Sequence, residues 1–292
     1  MQEPITYTLT NPQNGNLAFK IFSFENGGLF DHVQRNNYFS LIWVQHGHGK
    51  VKADFTDYEI GDNRLFAFTP YQPFMFNAGE VKGLVINFHP DFFCIHKHHP
   101  EVACNGVLFN NIYQPPYITI NDATAVVLDG LIREMKAAIL DDSLAQYDLL
   151  ISYLKIFLIT CSRLKTEQQP EAADSFRHDK APFILQHLKE TIEKDFKSKH
   201  SAGDYANALN ISTKALGKIT KTHLNKTITA LISERIVIEA KRELYLTNKS
   251  VKEIAYELGY DDEYYFSRFF KNNTDVSPQF YRETVGFGKA TA

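Results

Sequence analysis

The C-terminal part of the chain carries one short pattern twice, and that repeat constrains the fold more than any other feature. The first copy runs Asp204-Tyr205-Ala206-Asn207-Ala208-Leu209-Asn210-Ile211 and continues from Ser212 to Ile219. The second runs Glu253-Ile254-Ala255-Tyr256-Glu257-Leu258-Gly259-Tyr260 and continues from Asp261 to Lys271. Ala206 and Leu209 answer Ala255 and Leu258 at an offset of 49, and Leu216 answers Phe266 at 50, so the second turn is one residue longer. Each copy has a short helix with a small residue inside, a turn, and a second helix with basic residues on one face. The small residue lets two helices cross closely, and Asn210 or Gly259 supplies the left-handed turn. That is the layout of a helix-turn-helix unit.

Local capping signals agree. Ser201 precedes Asp204 by three residues and Ser250 precedes Glu253 by three, close to the capping-box pattern. Ser212, and Asp261 or Asp262, stand where the second helix of each unit starts. Between the units, Leu231, Ile232, Ile236, Ile238 and Leu246 recur as a one-sided helix requires, with Arg235, Glu239 and Arg242 among them. Such a helix fixes the distance between units. Two second helices on one rigid body are suited to successive major grooves of DNA, roughly 34 Å apart.

Ile254-Ala255, Gly259-Tyr260, Tyr265-Phe266, Arg268-Phe269-Phe270-Lys271, Ser277-Pro278 and Tyr281-Arg282 together resemble the signature of the AraC/XylS family of transcription regulators. The resemblance covers about residues 180–286. It implies seven helices, two helix-turn-helix units, a rigid linking helix and double-stranded DNA as partner. Two positions depart from the family pattern. Thr220 stands where an aromatic is common, and Asn225 where Gly is common. Asn tolerates the left-handed conformation, so that turn is expected to be kept.

Charge is divided along the chain. Residues 1–179 hold 13 Lys+Arg against 20 Asp+Glu, and residues 180–292 hold 18 against 14, within a net charge of −3. A basic half joined to an acidic half suits a nucleic-acid module carried by a separate domain. Cys94, Cys104 and Cys161 make no disulfide framework and suit a reducing compartment. The start, Met1-Gln2-Glu3-Pro4, has no signal-peptide pattern, and no long apolar run suggests a membrane span. A cytoplasmic protein is expected.

From Leu17 to about Ile120, short apolar runs alternate with turn residues. Tyr38–Val44, Lys50–Phe55, Asn63–Thr69 and Leu84–Phe88 read as strands, punctuated by Gly47-His48-Gly49, Gly61-Asp62, Pro70 to Pro73 and Gly79. This spacing predicts an all-β barrel or sandwich. The half resembles the small cupin-like sensor barrels that precede such DNA-binding domains. After Asn121 the period becomes helical. Ala125 to Ile139 form one stripe and Leu144 to Leu164 another, with a Ser143-to-Gln146 capping box between them. The second helix, Ser143–Lys165, has apolar residues around much of its circumference. It either packs on its own barrel or also carries a dimer contact.

The expected fold is therefore α+β: a cupin-like β-barrel with a helical hairpin (1–166), a linker (167–179), and an all-α domain with two helix-turn-helix units (180–292). In the first recognition helix Lys214, Gly217, Lys218 and Lys221 are the candidate DNA-binding residues, the three lysines sharing one face. In the second they are Glu263, Tyr264, Ser267, Arg268 and Lys271. Cations meet phosphates, Arg suits guanine, and Glu accepts from cytosine. Arg282 reads as a phosphate contact or as merely exposed.

Other chemistry has weaker signals. His89, Cys94, His96 and His98 lie in a histidine-rich stretch with Cys104 behind it, and His and Cys are natural zinc ligands, but zinc-finger spacing is missing. His46-Gly47-His48 is similar to half of a cupin metal motif, yet Phe74 occupies the place of its later His. No Ser-His-Asp, Cys-His or paired-carboxylate spacing and no phosphate loop is present, so no catalytic residue, cofactor or bound metal is expected. The barrel aromatics Trp43, Phe66 and Phe74, with Phe22, Phe24, Phe68 and Phe76, are either core or the lining of an effector site. The leading reading is a sequence-specific transcription regulator, a homodimer with a small-molecule effector, addressing the transcription machinery. The alternatives are a cupin-like metalloenzyme and a metal- or redox-sensing regulator working through residues 89–104.

Overall fold

The computed structural model describes residues 5–12, 15–54, 56–96, 107–141, 144–168 and 181–286. They fall into two compact units, the first drawn mainly from residues up to 169 and the second mainly from those beyond.

Among its described residues the first unit is built on one sheet of seven strands: β1 (Thr6–Thr10), β2 (Leu17–Glu25), β3 (Phe39–Ala53), β4 (Thr56–Ile60), β5 (Arg64–Phe68), β6 (Phe74–Phe88) and β7 (Tyr117–Thr119). Their order is β1-β2-β6-β3-β5-β7, with β4 set against β3. The expected strand ends at Gly47-His48-Gly49 and Gly79 are corrected here, because β3 and β6 each run unbroken for 15 residues. Gly47 and Gly49 take φ of +125° and +153°, and their pairing with β6 shifts register between Val44 and His46 and between Gly47 and Gly49. A Cβ at Gly47 would press on the backbone of Glu80 and Val81. These glycines serve bulges that bend a long strand, and do not end it.

Alternation along the strands separates two cores. One face carries Phe19, Ile21, Leu41, Trp43, Leu84, Ile86 and Phe88. It is covered by α1 (Asp122–Leu140) and α2 (Gln146–Glu167). The opposite face gathers Phe24, Ile42, Val44, Phe66, Phe68, Phe74, Phe76 and Val85.

The helical hairpin forms, with one correction at its joint. Asn121 caps α1 by accepting from the Thr124 amide at 2.8 Å. The expected cap Ser143 lies outside the described residues, and α2 starts only at Gln146, after Ala145 at φ +62°. Gln146 turns backward instead: its Nε2 donates to the carbonyl oxygens of Ala138 and Ile139 at 3.0 and 3.1 Å, satisfying the end of α1. Leu150, Leu154, Phe157 and Leu158, part of the apolar circumference read from sequence, are fully buried in the unit's own core. The helix is apolar on many sides because sheet, α1 and neighbouring loops surround it. At its other end Gln168 Oε1 accepts from the Thr119 amide at 3.1 Å, fastening the helix to β7.

Among its described residues the second unit has seven helices, the number implied by the resemblance: α3 (Ala181–Asp195), α4 (Ala202–Ala208), α5 (Thr213–Leu224), α6 (Ile228–Leu246), α7 (Val251–Glu257), α8 (Glu263–Thr274) and α9 (Pro278–Val285). The central α6 buries Leu231, Ile232, Ile236, Ala240 and Leu244 on one side. Its Glu239 is only 5% exposed, yet it accepts from Arg235 and Arg242, each at 3.1 Å. Arg235 also donates to Glu193 on α3 at 2.8 Å and stacks 3.9 Å over the Phe196 ring. The linking helix is thus tied to α3 by charge-assisted bonds and a cation–π contact. Among the described residues no helix is long and apolar enough to cross a membrane.

Candidate nucleic-acid interface

Both helix-turn-helix units are assembled by the same local devices. Before α4, Ser201 Oγ accepts from the Asp204 amide, and Asp204 Oδ2 accepts from the Ser201 amide at 3.1 Å. Before α7, Ser250 and Glu253 repeat this exchange, with the Ser250 amide donating at 2.7 Å. These hydrogen bonds to Ser201 and Ser250 hold both carboxyls below their ordinary pKa. Ala206 and Ala255 are buried where the paired helices cross. The turns then diverge in residue and agree in shape: Asn210 has φ +53° and Gly259 +79°. A Cβ at Gly259 would collide with the Lys197 carbonyl, so only glycine serves there.

Ser212 caps α5 by accepting from the Ala215 amide at 3.2 Å. Of the two candidate caps for α8, the structure selects Asp262, which accepts from the Tyr264 and Tyr265 amides at 3.0 and 3.1 Å. Asn225 at φ +55° and Asp275 at +64° end the two helices in the left-handed conformation, as Asn225 was expected to do. Thr220 is fully buried and donates to the Gly217 carbonyl at 3.2 Å, so the position kept its inward role without an aromatic.

Inside–outside alternation matches position for position at an offset of 50 from Lys214 to Thr222 in α5 and from Tyr264 to Asn272 in α8. Leu216 and Thr220 are buried in one, Phe266 and Phe270 in the other. The exposed stripe of α5 is Lys214, Lys218 and Lys221, flanked by Ala215 and the half-buried Gly217. The stripe of α8 is Tyr264, Arg268 and Lys271, flanked by Tyr265 and the half-buried Ser267. Glu263 is half-buried in the first turn. Each helix therefore brings its sequence-predicted residues to one side. Sequence reasoning passed over Ala215 and Tyr265; the signal that finds them is the offset pairing carried through every position.

The cations differ in their engagement. Among the described residues Lys214, Lys218, Arg268 and Lys271 make no salt bridge, whereas Lys199, Lys226, Arg235, Arg242 and Lys249 all pair with carboxylates. Lys221 reaches back to the Asn225 carbonyl at 3.3 Å. Tyr264 and Tyr265 are 78% and 58% exposed. The outward faces of the two helices thus offer four cations outside salt bridges and two exposed rings, a composition suited to phosphates and base edges.

A model described as a helix-turn-helix domain matches residues 205–284. The C-terminal unit is an AraC-type helix-turn-helix domain. Over 95 residues this AraC-type region is 32% identical to the raffinose operon transcriptional regulatory protein RafR of Pediococcus pentosaceus, covering 32% of this chain and 34% of that one. The HTH-type transcriptional activator RhaS of Mannheimia succiniciproducens is 25% identical over 179 residues, 61% of this chain and 62% of its own. The chain thus spans about a third of the first relative's length and under two thirds of the second's. Among solved structures, the C-terminal domain of AraT, a response regulator from Geobacillus stearothermophilus, is 29% identical with a TM-score of 0.35, covering 37% of this chain and 90% of its own.

The other candidate residues are dispersed. Phe66 and Phe74 lie on the same sheet face, but Phe68 stacks on Phe74 at 4.1 Å and Phe76 packs on Phe66 at 5.8 Å. Trp43 is on the opposite face, under the helices, so the structure does not bring the three together. His46 and His48 both point outward. His89 is 4% exposed, Cys94 is a half-buried free thiol and His96 is half-buried. His98 and Cys104 lie outside the described residues. Among the described residues no three His, Cys, Asp or Glu side chains group as metal ligands.

Proposed function

We propose that the chain is a sequence-specific DNA-binding transcription regulator. The observation that carries this reading is the pair of matched recognition helices whose exposed cations, Lys214, Lys218, Arg268 and Lys271, make no salt bridge among the described residues, whereas Lys226, Arg235 and Lys249 pair with carboxylates. An unpaired cation on a rigid, correctly oriented helix is poised to replace the counterions of a phosphate. The AraC-type domain and the relatives named as transcriptional regulators support the same reading. The first unit is a cupin-like sensing domain acting through a small-molecule effector, and the whole works in the cytoplasm as a homodimer beside the transcription machinery. The dimer contact runs through the outward side of α2, where Leu149 and Ile156 are 45% and 48% exposed.

Anisotropy titrations of the full chain against genomic DNA fragments, at rising salt, test the DNA-binding reading. Binding should fall linearly in log–log form as counterions are released. Folded protein that binds no fragment at low salt would overturn it.

A further inference from the structure

Residues 196–201 join α3 to α4, just ahead of the first helix-turn-helix unit, yet they pack on the turn of the second. A Cβ on Gly259 would strike the Lys197 carbonyl and stand 3.3 Å from His200 Cε1. The His200 ring lies over Tyr260, with centroids 4.8 Å apart and planes 30° from parallel. The joint itself is firmly built. The Ser198 and Lys199 amides both donate to the Asp195 carbonyl at 2.9 Å. Lys199 Nζ stands 2.6 Å from Asp195 Oδ2, and the Tyr205 hydroxyl donates to the Lys199 carbonyl at 3.0 Å.

From Tyr260 the contacts continue outward. Tyr260 is buried, and its ring meets those of Tyr265, Phe266 and Phe269 at 5.9, 5.3 and 5.3 Å. Tyr265 stands on the outward side of α8. A file of rings thus runs from His200, through Tyr260, to the face that would meet DNA. Rings in such a file are held by contact alone, so removing one frees the next. One atom breaks the rule that buried polar groups are hydrogen-bonded: His200 Nε2 is buried and has no hydrogen-bond partner among the described residues. A phenylalanine would make the same stack without an orphaned nitrogen. What an imidazole adds is a proton that comes and goes at moderate pH.

We infer that His200 is a positioning residue for the second recognition helix, holding Tyr265 through Tyr260 only while its own ring is neutral. Protonation would place a charged N–H at Nε2 where no acceptor stands, and burial disfavours that form. The Tyr260 face attracts a cation, but it gives Nε2–H no acceptor in the plane of the imidazole. The charged ring therefore turns toward water, and Tyr260 and Tyr265 lose their backing. The charges around the ring do not reverse this. Asp204 on α4 attracts a protonated His200, yet its carboxylate already accepts from the Ser201 amide and hydroxyl at 3.1 and 2.7 Å. Lys197 and Lys199 in the joint oppose it. On the facing turn burial keeps Tyr260 neutral, Asp261 is exposed, and Asp262 is engaged in capping α8.

That the ring governs base reading rests on the regulator reading; that it backs Tyr265 does not. A duplex selected from random sequence by the full chain is compared with every single base-pair change in it. Anisotropy is read at about pH 8 and about pH 5.5, either side of the usual histidine range. Base pairs whose preference relaxes in Arg268→Ala mark the sub-site of the second unit, and those that relax in Lys218→Ala mark the first. At the higher pH His200→Ala should lower discrimination in the second sub-site about fivefold, as residues acting without touching a ligand do, and leave the first unchanged. His200→Phe should restore it and keep it at the lower pH, where wild type loses it. Without DNA, fluorotyrosine labelling reports the Tyr265 ring, assigned through Tyr265→Phe. Its fluorine resonance should move between the two pH values in wild type and stay in His200→Phe.

Equal losses in both sub-sites, undiminished discrimination in folded His200→Ala, or one pH response shared by wild type and His200→Phe would overturn the inference. Should His200→Ala not fold, the wild-type and His200→Phe profiles decide alone. Folded wild type that selects no duplex defeats the regulator reading instead, and the fluorine resonance still decides the link from His200 to Tyr265.

Discussion

Arg282 donates from Nε to the carbonyl oxygen of Leu244 at 3.1 Å. Its Nη2 donates to the carbonyl of Lys249 at 2.6 Å. One guanidinium on α9 therefore closes the end of α6 and holds the loop leading into α7, satisfying carbonyls that a helix end leaves open. The sequence offered Arg282 as a phosphate contact or an exposed cation, and the structure leaves it half-buried with Nε and Nη2 on backbone carbonyls. Arg282→Ala should cost about 2–3 kcal/mol in urea unfolding of the full chain, typical of hydrogen bonds to charged groups. Arg282→Lys should recover little, because lysine lacks the fork. The salt slope of DNA binding should not change; a slope reduced by about one with full stability would reassign the residue to phosphate.

Gly217 and Gly259 should respond oppositely to alanine. A Cβ at Gly217 meets no atom within 4 Å, so Gly217→Ala should stabilise α5 by roughly 0.5–1 kcal/mol. Its DNA affinity should nevertheless fall, because the added methyl occupies the approach to the groove. Gly259→Ala forces a side chain into φ +79° and into the Lys197 carbonyl, and should lower stability. Thermal unfolding alongside anisotropy titrations separates the two effects. Unchanged DNA affinity in Gly217→Ala would remove Gly217 from the interface.

Tyr264 and Tyr265 give the second unit an apolar reading head where the first has Lys214 and Ala215. Aromatic contact suits the thymine methyl. Replacing thymine by deoxyuridine in the sub-site of the second unit should weaken wild-type binding, and should do less in Tyr264→Ala. The same replacement in the sub-site of the first unit should have little effect. Equal losses at both sub-sites, persisting in the variant, would mean that the rings do not read methyl groups.

Leu154→Glu should unfold the first unit, since it places a charge in a fully buried position. Ile156→Glu, on the outward side, should leave circular dichroism native and shift sedimentation from dimer to monomer. A folded Leu154→Glu chain would contradict the packing of α2. A dimeric Ile156→Glu chain would move the proposed contact elsewhere.

Glu253 supplies a pH test. The Ser250 donors hold its carboxyl below the ordinary glutamate value of 4.5. A carboxyl depressed in the folded state contributes stability above its unfolded value and loses it as pH falls through the folded one. Glu253→Gln should therefore be less stable than wild type at neutral pH and should converge with it below pH 4.5. A difference constant down through that range would show that the carboxyl charge is not what the cap uses.

Legibility in sequence followed the range of the interactions. The helix-turn-helix units were readable because caps, turns and a 3.6-residue period are encoded within a few residues: Ser201 with Asp204, Ser250 with Glu253, Asn225 in its turn. The length of β3 was not, because Gly47 and Gly49 mean a turn or a bulge depending on whether Ala78 to Val81 lie alongside. Burial of Leu154 and Phe157 was ambiguous for the same reason, since one helix cannot declare how many partners surround it. Glu239 stood in the sequence as a charge between two arginines, and its 5% exposure is set by the fold around α6, where Lys197 after α3 also comes within 3.9 Å.

The matched burial of α5 and α8 has a consequence for how this protein can change. The inward positions are the same in the two helices, while Lys214 and Tyr264, Ala215 and Tyr265, Gly217 and Ser267 have parted company on the outward faces. A change at any of these outward positions leaves the scaffold, and the opposite unit, as they were. Each half of the address the protein recognises can therefore drift alone, one base preference at a time, without passing through an unfolded ancestor.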